Sequence, residues 1–203
     1  MHLTGPERQF WTFVADLGDI AVIAPAFLGA AAVLVWHRRY RDVARWGAAF
    51  LACVCVTALL KATIGSFRIT VFGHGIRAFS FPSGHAGLAL VFYGGLSLLI
   101  WYGSRSWFGR LAALALLALE TLVTLSVFIL GWHPVIDVSC GLFLGTLCIA
   151  ALWPLAAQQS RPRTEIASLL LAVSVFVAAM HGARIDDREL TGMLARSVVA
   201  PPG

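Results

Sequence analysis

Apolar residues run along this chain in long blocks separated by short polar stretches. Six blocks approach the roughly 20 residues that an α-helix needs to cross a bilayer. They lie near 19–36, 46–66, 84–103, 110–130, 135–156 and 164–183. The fifth carries Asp137 near its start, which leaves that boundary the hardest to place. Connections between blocks are short, so sequence neighbours are expected to pack antiparallel in a bundle. No internal repeat, low-complexity stretch or polar linker interrupts the pattern. Residues 1–203 therefore read as a single all-α, polytopic membrane domain of about six transmembrane helices. The tail after Arg184 is polar and ends in Pro-Pro-Gly, so it is expected to be a partly disordered terminus. The start, MHLTGPERQF, is neither basic nor followed at once by an apolar run, which argues against a cleaved signal peptide.

Composition supports the membrane class: 59% of residues are hydrophobic, and mean hydropathy is +0.83. A soluble domain of this length needs far more polar surface. The formal charge is +5, carried by one lysine and fourteen arginines, but no basic stripe is interleaved with aromatics, so nucleic acid is not an expected partner. Cys53, Cys55, Cys140 and Cys148 all lie in apolar runs and read as packing residues rather than a disulfide framework. Trp11, Trp101, Trp107, Trp132 and Trp153 fall near block ends, where an interfacial belt would place them.

Basic residues also bear on orientation. Arg38, Arg39, Arg41, Arg45, Arg105, Arg110, Arg161 and Arg163 fall on one side. Arg8, Lys61, Arg68, Arg77, Arg184, Arg188 and Arg196 fall on the other. Eight against seven decides little, but the dense cluster after the first block should dominate. Both termini are thus expected outside, in a bacterial cytoplasmic membrane.

Three separated stretches fall on that outer side and carry the candidate chemistry. Lys61 and Arg68 are seven residues apart, about two helical turns, so they can share a face if the helix persists. A lysine in an apolar run either serves a site or snorkels to the headgroups. Ser80-Phe81-Pro82-Ser83-Gly84-His85 opens the third block. Pro-Ser-Gly ahead of a helix offers N–H groups and a hydroxyl to an anion, and His85 can give a proton to a leaving oxygen. The plain alternative is an N-cap at Ser83 with an interfacial histidine. His133 and Asp137 are four apart, a spacing that lets side chains meet across one turn. A carboxylate on one imidazole nitrogen leaves the other as a nucleophile. The same pair could merely staple a helix start, or bind metal, although nearby cations suit an anionic ligand better.

In order and spacing these residues resemble the type 2 phosphatidic acid phosphatase family, the membrane relatives of vanadium haloperoxidases. That family shows Lys-x6-Arg-Pro, Pro-Ser-Gly-His and Ser-Arg-x5-His-x3-Asp. Here they stand as Lys61 and Arg68, as Pro82 to His85, and as Ser126, His133 and Asp137. The resemblance implies that His133 attacks phosphorus to form a phosphohistidine, oriented by Asp137. It implies that His85 protonates the leaving group and that Lys61, Arg68, Ser83 and Gly84 hold the phosphoryl group. It implies a lipid phosphate or diphosphate as substrate, such as undecaprenyl diphosphate, phosphatidylglycerol phosphate or phosphatidate, and no metal or organic cofactor. A haloperoxidase is disfavoured because those relatives are soluble. Two positions depart from the pattern: Ile69 replaces proline, and Val127 replaces the third-motif arginine. Arg184, or else Arg77, is the expected substitute cation. The vacancy at Val127 keeps two alternatives open, a lipid phosphotransferase and a degenerate, non-catalytic lipid-phosphate binder or transporter.

Glu120 sits midway along the fourth block, roughly 15 Å from its outer end, too deep to touch a reacting group. A buried carboxyl bonded to a neighbouring helix is the expected role.

Overall fold

A chain segment in a bilayer must satisfy its backbone polar groups internally, and helices do so residue by residue. A computed structural model describes residues 3–72, 81–151 and 163–199, with side chains over 3–64, 81–151 and 165–183. Among the described residues there are seven helices and no strand. They are α1 (Gly5–Asp16), α2 (Ile20–Trp36), α3 (Tyr40–Phe72), α4 (Gly84–Gly103), α5 (Trp107–Ile129), α6 (Val135–Ala150) and α7 (Arg163–Val199). The fold is an all-α membrane bundle. By length and apolar composition α4, α5, Tyr40–Ile64 of α3 and Glu165–Ala183 of α7 can each cross a bilayer. The pair α1 and α2, bent by 43°, makes a fifth span if taken together, and α6 is apolar over 16 residues. Large apolar side chains such as Leu28, Leu51, Leu114, Phe143 and Leu171 stay exposed on the bundle. Lipid is the solvent that such a surface fits.

Helix α4 is the axis of the bundle: 78% of it is buried, against 22–33% for the other three long spans. One π-helical turn, Leu90–Gly94, interrupts it. Such a turn shifts the hydrogen-bond register, and here the Trp46 indole donates to the Val91 carbonyl at 2.9 Å. Gly95 leaves room for that indole, because a Cβ there would lie 2.6 Å from Trp46 Nε1. Phe27, Trp46, Phe50 and Phe92 stack around the same point. Helix α6 crosses α4 at three glycines. A Cβ on Gly87 would lie 3.0 Å from the Gly141 carbonyl oxygen, and one on Gly145 would lie 2.8 Å from the Gly87 oxygen. Small residues let backbones in a bilayer approach this closely.

Several elements run longer than their apolar blocks. Helix α3 starts at Tyr40, so the basic connection shrinks to His37–Arg39, where Arg38 closes α2 with φ 57°. At its other end α3 persists through Arg68 to Phe72. Helix α7 continues to Val199, which corrects the expectation of a disordered tail after Arg184. That stretch is polar, but it contains no proline before Pro201 and is mostly made of residues that tolerate helix well. Helix α1 was not expected at all; Glu7 accepts the Thr4 N–H at 2.8 Å, half of a capping box, and so fixes its start.

At the end of the bundle away from the three motifs, Arg39 reaches Glu165 at 3.5 Å, tying the α2–α3 turn to α7. Glu120 is buried as expected, but its bond is not to a neighbouring helix. Thr124, one turn on in α5, donates to it at 3.0 Å. A hydroxyl four residues away satisfies the carboxyl without leaving the helix. Cys53 is buried and Cys55 exposed, and all four cysteines are free.

Candidate active site

Three local devices bring the motifs to one end of the bundle. In the second motif, Ser83 is the N-cap of α4, and its hydroxyl accepts the Ala86 N–H at 3.5 Å. Ser83 thus caps the helix, and it aims the first turn, with Gly84 and His85, along the axis. In the third motif, α5 ends in a Schellman turn. Gly131, with φ 64°, donates to the Phe128 carbonyl at 3.0 Å, and Trp132 donates to the Val127 carbonyl at 3.0 Å. His133 follows at once, and Pro134 caps α6. His133 thus precedes the helix instead of sharing a turn with Asp137. Its Nδ1 is buried and has no hydrogen-bond partner among the described residues. Asp137 lies in the first turn of α6, fully buried, where the helix N-terminus favours a carboxylate.

The two motifs are bonded together: the Ser83 N–H donates to the Asp137 carbonyl at 2.9 Å. Gly141 then packs directly on the Ser83 carbonyl, with no room for a Cβ. The His85 and His133 rings lie 6.3 Å apart between centroids, and Trp132 meets His85 edge-on at 5.9 Å. Reacting atoms need to lie about 3 Å apart, so imidazoles roughly 6 Å apart can address one phosphorus from two sides.

Lys61 completes the group from α3. A cavity of ≈ 350 Å³ is lined by Asp19, Thr57, Lys61, Gly84, His85 and His133, with Ile20, Val54, Ala58 and Leu88 along its apolar wall. Arg68 lies on the same continuous helix, about 10 Å beyond Lys61 along the axis. Its side chain, and that of Arg184, lie outside the described residues, as does Arg77 altogether. Among the described residues no three His, Cys, Asp or Glu side chains converge as metal ligands would.

Val127 shows what takes up the space at the third-motif arginine position. It is fully buried in a cluster with Ala15, Ala86 and Val138, and Trp132 packs against that cluster. Val127→Arg is accordingly expected to destabilise the protein by about 3 kcal/mol, because a guanidinium does not fit the fully buried space that valine fills. Phosphate release should not rise. Thermal melting in detergent beside a turnover assay checks both halves.

Two polar cavity residues were absent from the sequence expectations, Thr57 and Asp19; Asp19 is the N-cap of α2, and its Oδ2 lies 3.7 Å from His85 Nε2. The available signal for Asp19 was an acidic residue at the outer end of the first apolar block, the end to which all three motifs map.

Fold and cavity together define a helical membrane protein that gathers two histidines and a lysine from separate stretches at one end. Residues 42–161 match the family model described as PAP2 superfamily. The chain belongs to that superfamily, a phosphatase-type family, and its apolar helices make it a membrane member. No curated protein and no solved structure gives a match.

Proposed function

We propose that the protein is a lipid phosphatase that hydrolyses a lipid phosphate or diphosphate through a phosphohistidine on His133. The observation that carries this reading is the shared cavity, where Lys61, Gly84, His85 and His133 meet although the sequence separates them by up to 72 residues. An ammonium and the N-terminus of α4 suit a phosphoryl group. One histidine serves as nucleophile and the other as acid, then as base toward the attacking water. Asp137 is the orienting carboxylate on this reading, supported by its burial in the first turn of α6 and by the bond that ties its carbonyl to the Ser83 N–H. Ser83 acts chiefly through the α4 N-terminus that it caps.

The apolar wall and the bilayer setting favour a substrate with a hydrocarbon tail, such as undecaprenyl diphosphate, phosphatidylglycerol phosphate or phosphatidate. The arginine cluster after α2 favours a cavity facing outward from a bacterial cytoplasmic membrane. Arg184 is assigned the missing third-motif cation because α7 carries it past the outer end of the bundle. Arg184→Ala is expected to lower kcat/KM about tenfold or more, the loss of one charge-assisted phosphate contact. Unchanged kinetics would remove Arg184 from the site.

Phosphate release from purified lipid phosphates, without an added acceptor, tests the whole reading. Turnover that disappears in His133→Ala and Asp137→Ala supports it. Turnover that requires a second lipid as acceptor would make the protein a phosphotransferase. Binding without any release would make it a non-catalytic receptor for the same headgroups.

A further inference from the structure

We infer that Asp19 is the positioning residue for His85, holding the imidazole by Nε2 so that Nδ1 is the atom that hands a proton to the leaving oxygen. The inference rests on the reading of His85 as the acid of a phosphatase.

The geometry is built from both sides. Asp19 Oδ1 accepts the Ala21 N–H at 2.8 Å as the cap of α2, which fixes the carboxylate at that point. The other oxygen, Oδ2, then faces His85 Nε2 at 3.7 Å. The break between α1 and α2 is tied to the helix that carries His85. The Tyr93 hydroxyl, eight residues along α4, donates to the Leu17 carbonyl at 2.9 Å. Gly18 permits the approach: a Cβ there would collide with Val123 and lie 3.6 Å from His85 Cδ2. Asp19 and His85 line the same cavity as Lys61 and His133, and each side chain keeps about a fifth of its surface exposed there (21% and 22%). A separation of 3.7 Å is an ion-pair distance, and such contacts tighten when substrate binds.

His133 forms a bond to phosphorus as the bond from phosphorus to the lipid oxygen breaks. The departing alkoxide takes the Nδ1 proton of the His85 imidazolium, and His85 is left neutral with its Nε2 proton against Asp19. In the second step water forms a bond to phosphorus as the bond from phosphorus to His133 breaks, which releases phosphate and frees the His133 imidazole, and the water gives a proton back to Nδ1 of His85, restoring the imidazolium. Asp19 never loses or gains a proton. It fixes which nitrogen faces the reaction and stabilises the charged form, as carboxylates beside catalytic imidazoles do.

Asp19→Asn isolates this role, because asparagine caps a helix about as well as aspartate and only the charge is lost. Two substrates separate proton donation from general damage: dodecyl phosphate, whose alkoxide needs a proton to leave, and p-nitrophenyl phosphate, whose phenolate does not. Asp19→Asn is expected to lower kcat on dodecyl phosphate about tenfold and on p-nitrophenyl phosphate less than about twofold. Asp19→Glu should restore most of the loss, and in a His85→Gln background Asp19→Asn should add nothing further. Equal losses on both substrates, or no loss on either, would overturn the inference.

A measurement independent of turnover keeps the two readings separable. The full chain, labelled with 15N-histidine in micelles, has six histidines, and His85→Gln assigns the signal of interest. Wild type should show His85 protonated at Nε2, and Asp19→Asn should shift both its ring nitrogens. If no phosphate is released from any substrate, the phosphatase reading fails and this spectrum decides the pair by itself. His85 shifts that ignore Asp19→Asn would then exclude the pairing.

Discussion

Replacing His133 with alanine is expected to reduce phosphate release by at least about 10³-fold, the scale on which loss of a nucleophile acts. The fold should survive the change. His133 is only partly buried and stands in the turn between α5 and α6. The devices that shape that turn are elsewhere: Gly131 with φ 64°, the Trp132 bond to the Val127 carbonyl, and the apolar packing of Trp132 on the Val127 cluster. Removing an imidazole beside them should cost no more than about 1 kcal/mol. A melting temperature close to wild type, together with lost turnover, is the expected pair of results. Asp137→Ala should differ on the first count, because it opens a hole at a fully buried position.

Gly141→Ala is expected to lower turnover as well, by a route that touches no reacting atom. The glycine packs on the carbonyl of Ser83. That carbonyl accepts the Gly87 N–H at 3.2 Å, and the Ser83 N–H is bonded to Asp137. A methyl group inserted there meets backbone on a central helix, which cannot rotate away as a side chain could. Helices α4 and α6 must separate, and with them the turn that presents His85 and the one that presents His133. Overpacking of this kind costs about 1–3 kcal/mol. A shift of roughly 1 Å between catalytic groups is enough to lower the rate about 100-fold. Gly182→Ala is the matched control, since a Cβ at that helical glycine meets nothing within 4 Å. It should leave both melting and turnover unchanged.

Much of the candidate site could be read from residue spacing because two of its three motifs are local devices. Pro-Ser-Gly-His carries its own N-cap, and the Gly-Trp-His-Pro stretch carries its own turn, so both announce themselves without tertiary information. The class of fold was equally plain, because apolar blocks of bilayer length leave little choice of architecture. What was hidden depends on packing between distant stretches. Asp19 looks like the polar edge of a span until α1 and α2 bend and bring it to His85. Gly87, Gly141 and Gly145 are ordinary small residues until α4 and α6 cross at them. Helix α1 did have a signature, Thr4-x-x-Glu7 with Pro6 in the first turn, but it precedes a stretch too short and mixed to read as a span. Val127 illustrates the opposite case. Its departure from the motif was legible at once, whereas its place in the Schellman turn and the Ala15–Ala86 cluster emerges only from the fold.

The central claim is that phosphoryl transfer passes through His133. The most direct test is to quench turnover of a 32P-labelled lipid phosphate within its first cycle and map the label on the protein. The expected label is a phosphoryl group that is stable to base, labile to acid and confined to the peptide containing His133, and that is absent from His133→Ala. Turnover with no label on the protein, or with the label on another residue, would contradict it.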